Sequence, residues 1–140
     1  MNIFLPFRSI ENTLNDYLNK NDLKELKSNI EKILNTKYDF LILKSENDTE
    51  WFLLFNGFNS RFWLTIFQDP YETKNRIIIN EFLIAKDDDN QTNREKIIDA
   101  FYKSFGHIGP ISIYSNNSSM FWLEMGFILE ENKIYMTYKK

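Results

Sequence analysis

Apolar residues recur every three or four positions between residues 10 and 35, which is the period of an amphipathic helix. The recurrence predicts one helix over residues 10–19 and a second over 23–35. Asp22 is followed three positions later by Glu25, so the pair has the form of a capping box and would begin the second helix. Residues 2–8 are apolar enough for a short strand ahead of both helices.

After residue 37 the period changes. Apolar and polar residues now alternate within short runs, and polar turns lie between the runs. This alternation is typical of strands with one buried face. Asn56-Gly57 is a dipeptide that favours a tight hairpin turn, and Asp69-Pro70 marks another turn. The runs predict four consecutive strands, which cover residues 38–44, 51–55, 61–67 and 76–85.

A polar stretch that begins at Lys86 separates these strands from a third helix. Thr92 and Glu95 have capping-box spacing there, and apolar residues line one face of a helix over 93–105 that Gly106 can end. The rest of the chain predicts a strand over 111–115, a polar loop, a short helix over 118–125 and a final strand over 133–138.

The end of the short helix carries its own stop signal. Gly126 suits the left-handed residue that follows a helix, and Phe127 is then placed to pack back against Trp122 or Phe121. Helices followed by a meander, another helix and a strand–helix–strand unit predict an α+β fold with a mostly antiparallel sheet.

Length and composition restrict the class of protein. A single domain over residues 1–140 is the simplest organisation for this length. The 17 basic and 20 acidic residues give a net charge of −3 without a basic stripe, so nucleic acid is not an expected partner. There is neither an apolar run of roughly 18 residues nor a signal-peptide pattern, so a cytoplasmic protein without a membrane partner is expected. The absence of cysteine excludes thiol nucleophiles and thiolate metal sites.

The spacing of Ser115, Phe121-Trp122 and Gly126-Phe127 is shared with a known superfamily. Members of the GNAT (Gcn5-related N-acyltransferase) superfamily commonly carry Asn-x-x-Ala-x-x-Phe-Tyr-x-x-x-Gly-Phe, and the last third of the chain resembles that stretch. The resemblance implies a GNAT-like twisted mixed, mostly antiparallel sheet with helices on both faces. It also implies that strands 76–85 and 111–115 run parallel and splay apart, with the third helix crossing between them.

The same resemblance implies an acyl-CoA-dependent N-acyltransferase that acts on an amine of a small molecule or peptide, with acetyl-CoA as cofactor and no metal. Glu81 stands where some family members place the base that deprotonates the amine, directly or through water. Tyr114 is a phenol near the position of the family's general acid and would protonate the departing thiolate. The implied acyl-CoA contacts are Leu83, Ile84, Ala85, Gln91, Thr92, Asn93, Arg94, Asn116 and Trp122.

The chain departs from the family at the turn expected to hold the CoA pyrophosphate. Family members have glycines there, which let backbone amides at a helix N-terminus approach phosphate. Here Thr92, Arg94 or Lys96 takes the glycine positions, and the run Asp87–Asp89 would repel phosphate. Trp122 also replaces the family tyrosine, and its indole N–H is no acid near neutral pH. A second hypothesis is therefore a catalytically degenerate GNAT-like binding or regulatory protein, of the inhibitor or immunity type, with a protein partner.

Several of these residues also have simpler structural interpretations. Glu81 could lie on the wet face of a half-covered strand, and His107, the only histidine, is expected in a surface loop. The acidic run lacks the glycine and the last acidic ligand of a calcium loop. The aromatic residues around the hairpin are expected in the core, whereas a contiguous exposed patch would indicate a protein interface. They are Trp51, Phe58, Phe62 and Trp63.

Overall fold

The computed structural model describes residues 20–44, 50–69, 74–116 and 119–139. The elements, in chain order, are α1 (Lys20–Leu34), β1 (Tyr38–Lys44), β2 (Glu50–Gly57), β3 (Ser60–Asp69), β4 (Lys74–Leu83), a 3-10 turn (Lys86–Asp88), α2 (Gln91–Phe105), β5 (Ile111–Tyr114), α3 (Ser119–Glu124), β6 (Phe127–Leu129) and β7 (Tyr135–Tyr138).

One mixed sheet of seven described strands organises the fold, in the order β1-β2-β3-β4-β5-β7-β6. Neighbours run antiparallel except β4 and β5, which run parallel and are joined through α2. A parallel pair needs such a crossover, because a tight turn joins only antiparallel strands. The fold is therefore α+β with a mostly antiparallel sheet, and the predicted parallel relation between the two central strands is confirmed.

An aromatic core fills the face of the sheet on which the helices pack. The ring of Phe101 on α2 lies 6.5 Å from Phe55, 5.8 Å from Phe62 and 6.5 Å from Phe82, measured between ring centroids. All three described helices contribute to this one cluster, so they pack on the same face of the sheet. Their buried apolar side chains in it are Leu23, Leu26, Ile30, Leu34, Ile97, Ile98, Ala100, Phe101, Phe105 and Trp122.

The turn between β2 and β3 lies two residues later than predicted. Gly57 pairs with Ser60, so Phe58 and Asn59 form the turn, and Asn59 has a φ of 59°. Asparagine adopts the left-handed region more readily than most residues, which suits it to this position. Gly57 is required by packing instead, because a Cβ there would lie 2.5 Å from the ring of Tyr38.

The C-terminal strands include one element that the pattern does not predict. β6 has three residues, too few to show alternation, and it pairs with β7. The stop signal of the short helix is confirmed: Gly126 has a φ of 98°, and the rings of Phe127 and Trp122 lie 5.0 Å apart. The final strand begins at Tyr135 and not at residue 133.

Three predictions concern residues outside the described ranges, namely the strand over 2–8, the helix over 10–19 and the turn at Pro70. The placement of helices on both faces of the sheet accordingly stays a prediction. α1 already includes Lys20, so Asp22 lies within the helix and not at its cap. In the described ranges, no helix has both the length and the apolar character needed to cross a membrane.

Candidate functional site

The central parallel pair opens into a split. In the described part of the chain, the ladder between β4 and β5 consists of the register pairs Ile77↔Ile111 and Ile78↔Ser112, whereas β4 continues to Leu83. Open sheets commonly bind ligands in the crevice beyond the carboxyl ends of parallel strands. The split therefore locates a candidate site beside the second half of β4.

Gly109 lets the loop before β5 approach β4 closely. A Cβ at this position would overlap the carbonyl oxygen of Asn75. The next residue, Pro110, accepts a hydrogen bond at its carbonyl oxygen from the Ile77 N–H, at 3.0 Å. The glycine thus permits the contact that fixes where the parallel ladder begins.

A β-bulge interrupts β4 at the split. The register with β3 shifts by one residue between Trp63 and Leu64, so that Asn80 is the extra residue ahead of Glu81. Asn80 Nδ2 donates to Thr65 Oγ1, which holds the side chain on the face opposite the aromatic core. Bulges re-aim side chains and are frequent beside functional sites.

A cavity of about 190 Å³ opens on that opposite face. Phe52 and Trp63 form one wall, with their rings edge-to-face at 6.4 Å, and Tyr114 reaches it from β5 across the split. Tyr114 is 43 % exposed and also contacts the ring of Tyr135 at 5.7 Å. We call this the split cavity; its described lining residues are Glu50, Phe52, Trp63, Thr65, Phe67, Ile78, Asn80 and Tyr114.

Glu81 is not among those described lining residues, although it follows the bulge directly. Its Oε1 lies 3.1 Å from Nε of Arg61, close enough for an ion pair, but the arrangement is not that of a hydrogen bond. The same oxygen is buried. The two predicted catalytic residues therefore have different surroundings, because Arg61 engages Glu81 while Tyr114 lines the split cavity.

The turn ahead of α2 is closed by its own hydrogen bonds. The N–H of Asp88 donates to the carbonyl of Ala85 at 2.9 Å, and the N–H of Asn90 donates to the carbonyl of Asp88 at 3.1 Å. Asn90 caps α2, because its side-chain oxygen accepts a bond from the N–H of Asn93 at 2.9 Å. The predicted capping box at Thr92 is therefore wrong, and the amide of Asn93 is engaged within the chain.

Arg94, a predicted phosphate contact, is held by its neighbours. Its Nε donates to Oδ1 of Asp89 at 2.6 Å, and its guanidinium lies 4.8 Å from the ring centroid of Phe121. The hydrogen bond to Asp89 is the main cause that raises the pKa of Arg94. Gln91 is also tied down, since its side chain donates to the carbonyl of Glu124 at 3.2 Å. The predicted phosphate site thus satisfies much of its charge and hydrogen bonding internally.

Trp122 is part of the core. Its ring lies 5.7 Å from Phe82, 5.0 Å from Phe121 and 5.0 Å from Phe127, and its side chain is 7 % exposed. The position that resembles the family's tyrosine is therefore filled by a residue that serves packing.

The remaining predicted cofactor residues are spread over different environments. Ile84 is buried, whereas Leu83 is 52 % exposed and Asn116 is exposed in the turn after β5. The N–H of Ala85 donates to Oγ of Ser60 at 3.1 Å, so this amide is already bonded. Among these predicted cofactor residues, Leu83 is the last residue of β4, and its exposed side chain lies beside the split.

The aromatic residues of the hairpin divide between the two faces. Trp51 and Phe62 are buried in the core, as predicted. Trp63 lines the split cavity and Phe58, at the turn, is 81 % exposed, so the prediction that both are core residues is wrong. His107 is exposed in the turn after α2, as predicted.

A buried guanidinium that sequence reasoning missed lies on the same face as the split cavity. Arg76 has no exposed surface and holds Glu130 with two contacts, Nη1–Oε2 at 2.6 Å and Nη2–Oε1 at 3.2 Å. Its Nη1 also donates to Oγ of Ser112 at 2.9 Å, and its guanidinium carbon lies 3.9 Å from the ring centroid of Tyr135. A charge within the isoleucine-rich run of β4 is the sequence signal for this cluster. We call Arg76, Ser112, Glu130, Tyr135 and Thr137 the Arg76 cluster.

Among the described residues, no three or more histidine, aspartate or glutamate side chains are grouped so that they could hold a metal ion. No protein-family model matches the chain, and it has no significant match among curated proteins or among solved structures. Its own fold and geometry are therefore the basis for assigning a function.

Proposed function

We propose that the chain is a GNAT-like domain that acts by binding a ligand or partner and does not transfer acyl groups. Support for the GNAT-like part comes from the order of elements. A four-strand meander leads through a helix into a parallel strand, after which a short helix and a closing hairpin follow. The parallel pair splits after two register pairs, as the resemblance of the C-terminal third leads one to expect.

The turn ahead of α2 carries the proposal that acyl transfer is absent. A CoA pyrophosphate would need free amides and positive charge at this helix N-terminus. The amides of Asp88, Asp89 and Asn90 donate within the turn, and Asn93 donates to the cap residue. The carboxylates of Asp87–Asp89 add negative charge at the same end of the helix. The residues present do not fit a pyrophosphate well.

The surroundings of Glu81 and Trp122 point the same way, whereas Tyr114 lines the split cavity. Glu81 is paired with Arg61, and Trp122 stands in the core where the resemblance leads one to expect a tyrosine. Neither residue, in its observed surroundings, is set up to exchange a proton with a substrate. A binding role requires only the split cavity and the surface around it.

Titration with acetyl-CoA tests this proposal. A ligand present at 100 times its Kd would add about 2.7 kcal/mol to the free energy of unfolding and raise Tm by several degrees. We expect no measurable rise of Tm and no calorimetric heat at acetyl-CoA concentrations of about 1 mM. We also expect no thiol release with a panel of amines. Binding with a Kd in the low micromolar range, or steady thiol release, would overturn the proposal.

A variant of the turn tests whether the charge of the acidic run is what prevents acetyl-CoA from binding. Replacing Asp87, Asp88 and Asp89 by Asn removes the repulsive charge, and hydrogen bonds to charged groups are worth about 1.5–3 kcal/mol each. Acetyl-CoA binding by this variant should therefore become measurable at low salt. Glu131→Gln, in the exposed turn between β6 and β7, is the control for loss of a surface carboxylate away from α2 and should not restore binding.

The second candidate is the acyl-CoA-dependent N-acyltransferase itself, and one observation favours it. The first amides of α2, those of Gln91 and Thr92, carry no intrahelical bond, as at any helix N-terminus, and Arg94 lies next to them. If thiol release is observed, Glu81→Gln should lower kcat/KM by about 100-fold with little change in Tm, the usual scale for a general base. Thiol release that Glu81→Gln leaves unchanged would keep the enzyme and reject Glu81 as its base.

A further inference from the structure

We infer that two copies of the chain pack face to face through the uncovered side of the meander β1–β3, about a two-fold axis along β2. The inference goes beyond the proposed function and does not depend on it. All three described helices contribute to the core on the other side of the sheet, so none of them lies over this side. We call it the open meander face, with Asp39, Leu41, Leu54, Asn56, Arg61 and Trp63 at its centre.

Apolar side chains on the open meander face remain accessible to solvent. Alternation along β1 buries Tyr38 in the core and turns its neighbour Asp39 to the other side, where it is exposed. Leu41 is 43 % exposed and Trp63 is 41 % exposed, and Leu54 is half-buried between them. Contiguous exposed apolar surface of this kind marks interaction sites.

The apolar residues form a row across the three strands. Leu41 of β1 is in register with Leu54 of β2, and Leu54 is in register with Trp63 of β3. The row has an aliphatic side chain at one end and an indole at the other. It is therefore complementary to its own reverse, because the leucine end of one copy can pack on the indole end of a second copy.

The neighbouring row carries opposite charges at its two ends. Asp39 of β1 is in register with Asn56 of β2, and Asn56 is in register with Arg61 of β3. Arg61 lies 3.1 Å from Glu81, yet 47 % of its side chain is exposed. A guanidinium has five N–H donors, so Arg61 can meet a second carboxylate while it stays beside Glu81. This row is also complementary to its own reverse.

A two-fold axis along β2 matches both rows at once. It turns the face of the second copy toward the first and places β1 of each copy over β3 of the other. Leu54 then meets Leu54 of the second copy, and Leu41 meets Trp63. Asp39 meets Arg61, and each unlike pair occurs twice, as in any isologous interface. The strands of the two copies keep nearly the same direction, which is the usual alignment of packed sheets. Trp63 also lines the split cavity, so the second copy contributes a leucine beside that cavity.

A two-fold axis across the strands does not give this match. It keeps β1 over β1 and β3 over β3, so Asp39 of one copy lies apart from Arg61 of the other. Like charges brought together at an interface cost affinity, whereas complementary charges fix its register. The charged row thus selects the axis along β2.

The size of the open meander face limits the affinity. Three strands about 4.8 Å apart, over a length of about six residues, cover roughly 15 by 20 Å. With the relief of the side chains, two copies bury on the order of 900 Å², below the roughly 1,200–2,000 Å² of stable complexes. The dimer is therefore weak, with a Kd on the order of 100 µM.

Sedimentation equilibrium of the full chain, from about 10 µM to about 1 mM, tests the association. We expect a monomer–dimer equilibrium. Leu41→Asp should raise its Kd roughly tenfold or more, because a carboxylate is then placed against the ring of Trp63 twice in each dimer. Met120→Asp is the matched control, since Met120 is 68 % exposed on α3, and should leave the Kd unchanged. Equal Tm values for the two variants exclude a folding defect.

A mixing experiment tests the axis. Asp39→Arg and Arg61→Glu should each weaken self-association several-fold, because each sets like charges against each other in both symmetry-related pairs. In an equimolar mixture the two variants can form a heterodimer in which both pairs are complementary. We expect this heterodimer to be at least as tight as the unaltered dimer. The result is a gain of association, so a damaged fold cannot produce it.

Three results overturn the inference. The first is a monomer up to about 1 mM, whichever other molecule then covers the open meander face. The second is a dimer that Leu41→Asp leaves unchanged, which places the contact elsewhere. The third is a mixture that associates no better than its two components, which rejects the axis along β2. None of these measurements uses acetyl-CoA, so each outcome is independent of the test of the proposed function.

Discussion

The two faces of the sheet differ in chemistry although the same strands supply both. On the helix-covered face, Phe55, Phe62 and Phe101 are fully buried in one apolar cluster. The opposite face also buries polar groups, since Arg76 and Ser112 have no exposed surface, and it contains the split cavity. Alternation along each strand sends successive residues into these two environments.

The helix-covered face accounts for stability, and the opposite face carries the surface that we propose for binding. Apolar burial is non-directional and scales with the area removed from water, so the helix-covered face stabilises the fold through the apolar area that it buries. A buried polar group must be matched by partners at defined distances, so the opposite face holds side chains in defined places. The split cavity, which we propose for binding, lies on the face with the buried polar residues.

The sharpest test of this comparison uses two neighbours in sequence, Phe62 and Trp63. Phe62→Ala should lower the free energy of unfolding by about 4 kcal/mol, because its ring packs against Tyr38, Phe82 and Phe101. Trp63→Ala should cost only about 1 kcal/mol, since this side chain is largely outside the core. Urea unfolding measures both. Similar losses for the two variants would show that the faces do not differ in this way.

A second test removes the buried charge. Arg76→Met should cost about 3 kcal/mol, because it leaves the carboxylate of Glu130 and the hydroxyl of Ser112 without their guanidinium partner. Urea unfolding gives this loss directly.

The double variant Arg76→Met with Glu130→Gln is the informative companion. The double variant removes the second charge as well. Its loss of free energy of unfolding should therefore be clearly smaller than the sum of the losses of the two single variants. Additive losses would mean that the two side chains do not act as a pair.

The smallest expected effect concerns a polar contact at the edge of the apolar face. Oε2 of Glu31 accepts a hydrogen bond from the backbone N–H of Tyr38 at 3.0 Å, and this bond, followed by nearby Lys27, lowers the pKa of Glu31. A lowered folded-state pKa adds stability above the unfolded value of about 4.3, and that stability is lost as the pH falls through the folded-state pKa.

Glu31→Gln should therefore cost about 1 kcal/mol at pH 7 and progressively less below about pH 4. Unfolding curves at several pH values measure the difference. Glu25→Gln on the same helix is the control, as Glu25 is exposed. A loss for Glu31→Gln that stays constant down to pH 3 would contradict the linkage.

Sequence patterns predict the longer elements of this fold. The alternation over 38–44 gives β1 its observed bounds, and the helical period over 93–105 gives most of α2. The three residues of β6 are too few to carry a period. Several polar residues precede α2, and its cap is whichever of them turns its side chain toward the backbone N–H groups of the first helical turn. Asn90 takes that role and Thr92 does not.

The candidate site is less predictable because it depends on strand register. Tyr114 and Glu81 follow from a resemblance, but no spacing in the sequence shows that Arg61 reaches Glu81 or that Asn80 is bulged. The partner of Arg76 could not be predicted either, since Glu130 comes close only after four strands have taken their places.

The position of Glu130 in the chain has a consequence for folding order. It follows Arg76 by 54 residues, so the counter-ion of β4 emerges from the ribosome long after β4 itself. The meander β1–β4 can form from local turns, whereas Arg76 meets the carboxylate of Glu130 only when the closing hairpin arrives and a long loop closes. Burying a guanidinium is costly before its partners are in place, so we expect the polar face of β4 to reach its final packing only together with Glu130. The polar face of the sheet is therefore completed last, and we expect a nascent chain to form the proposed binding surface only when synthesis has passed residue 130.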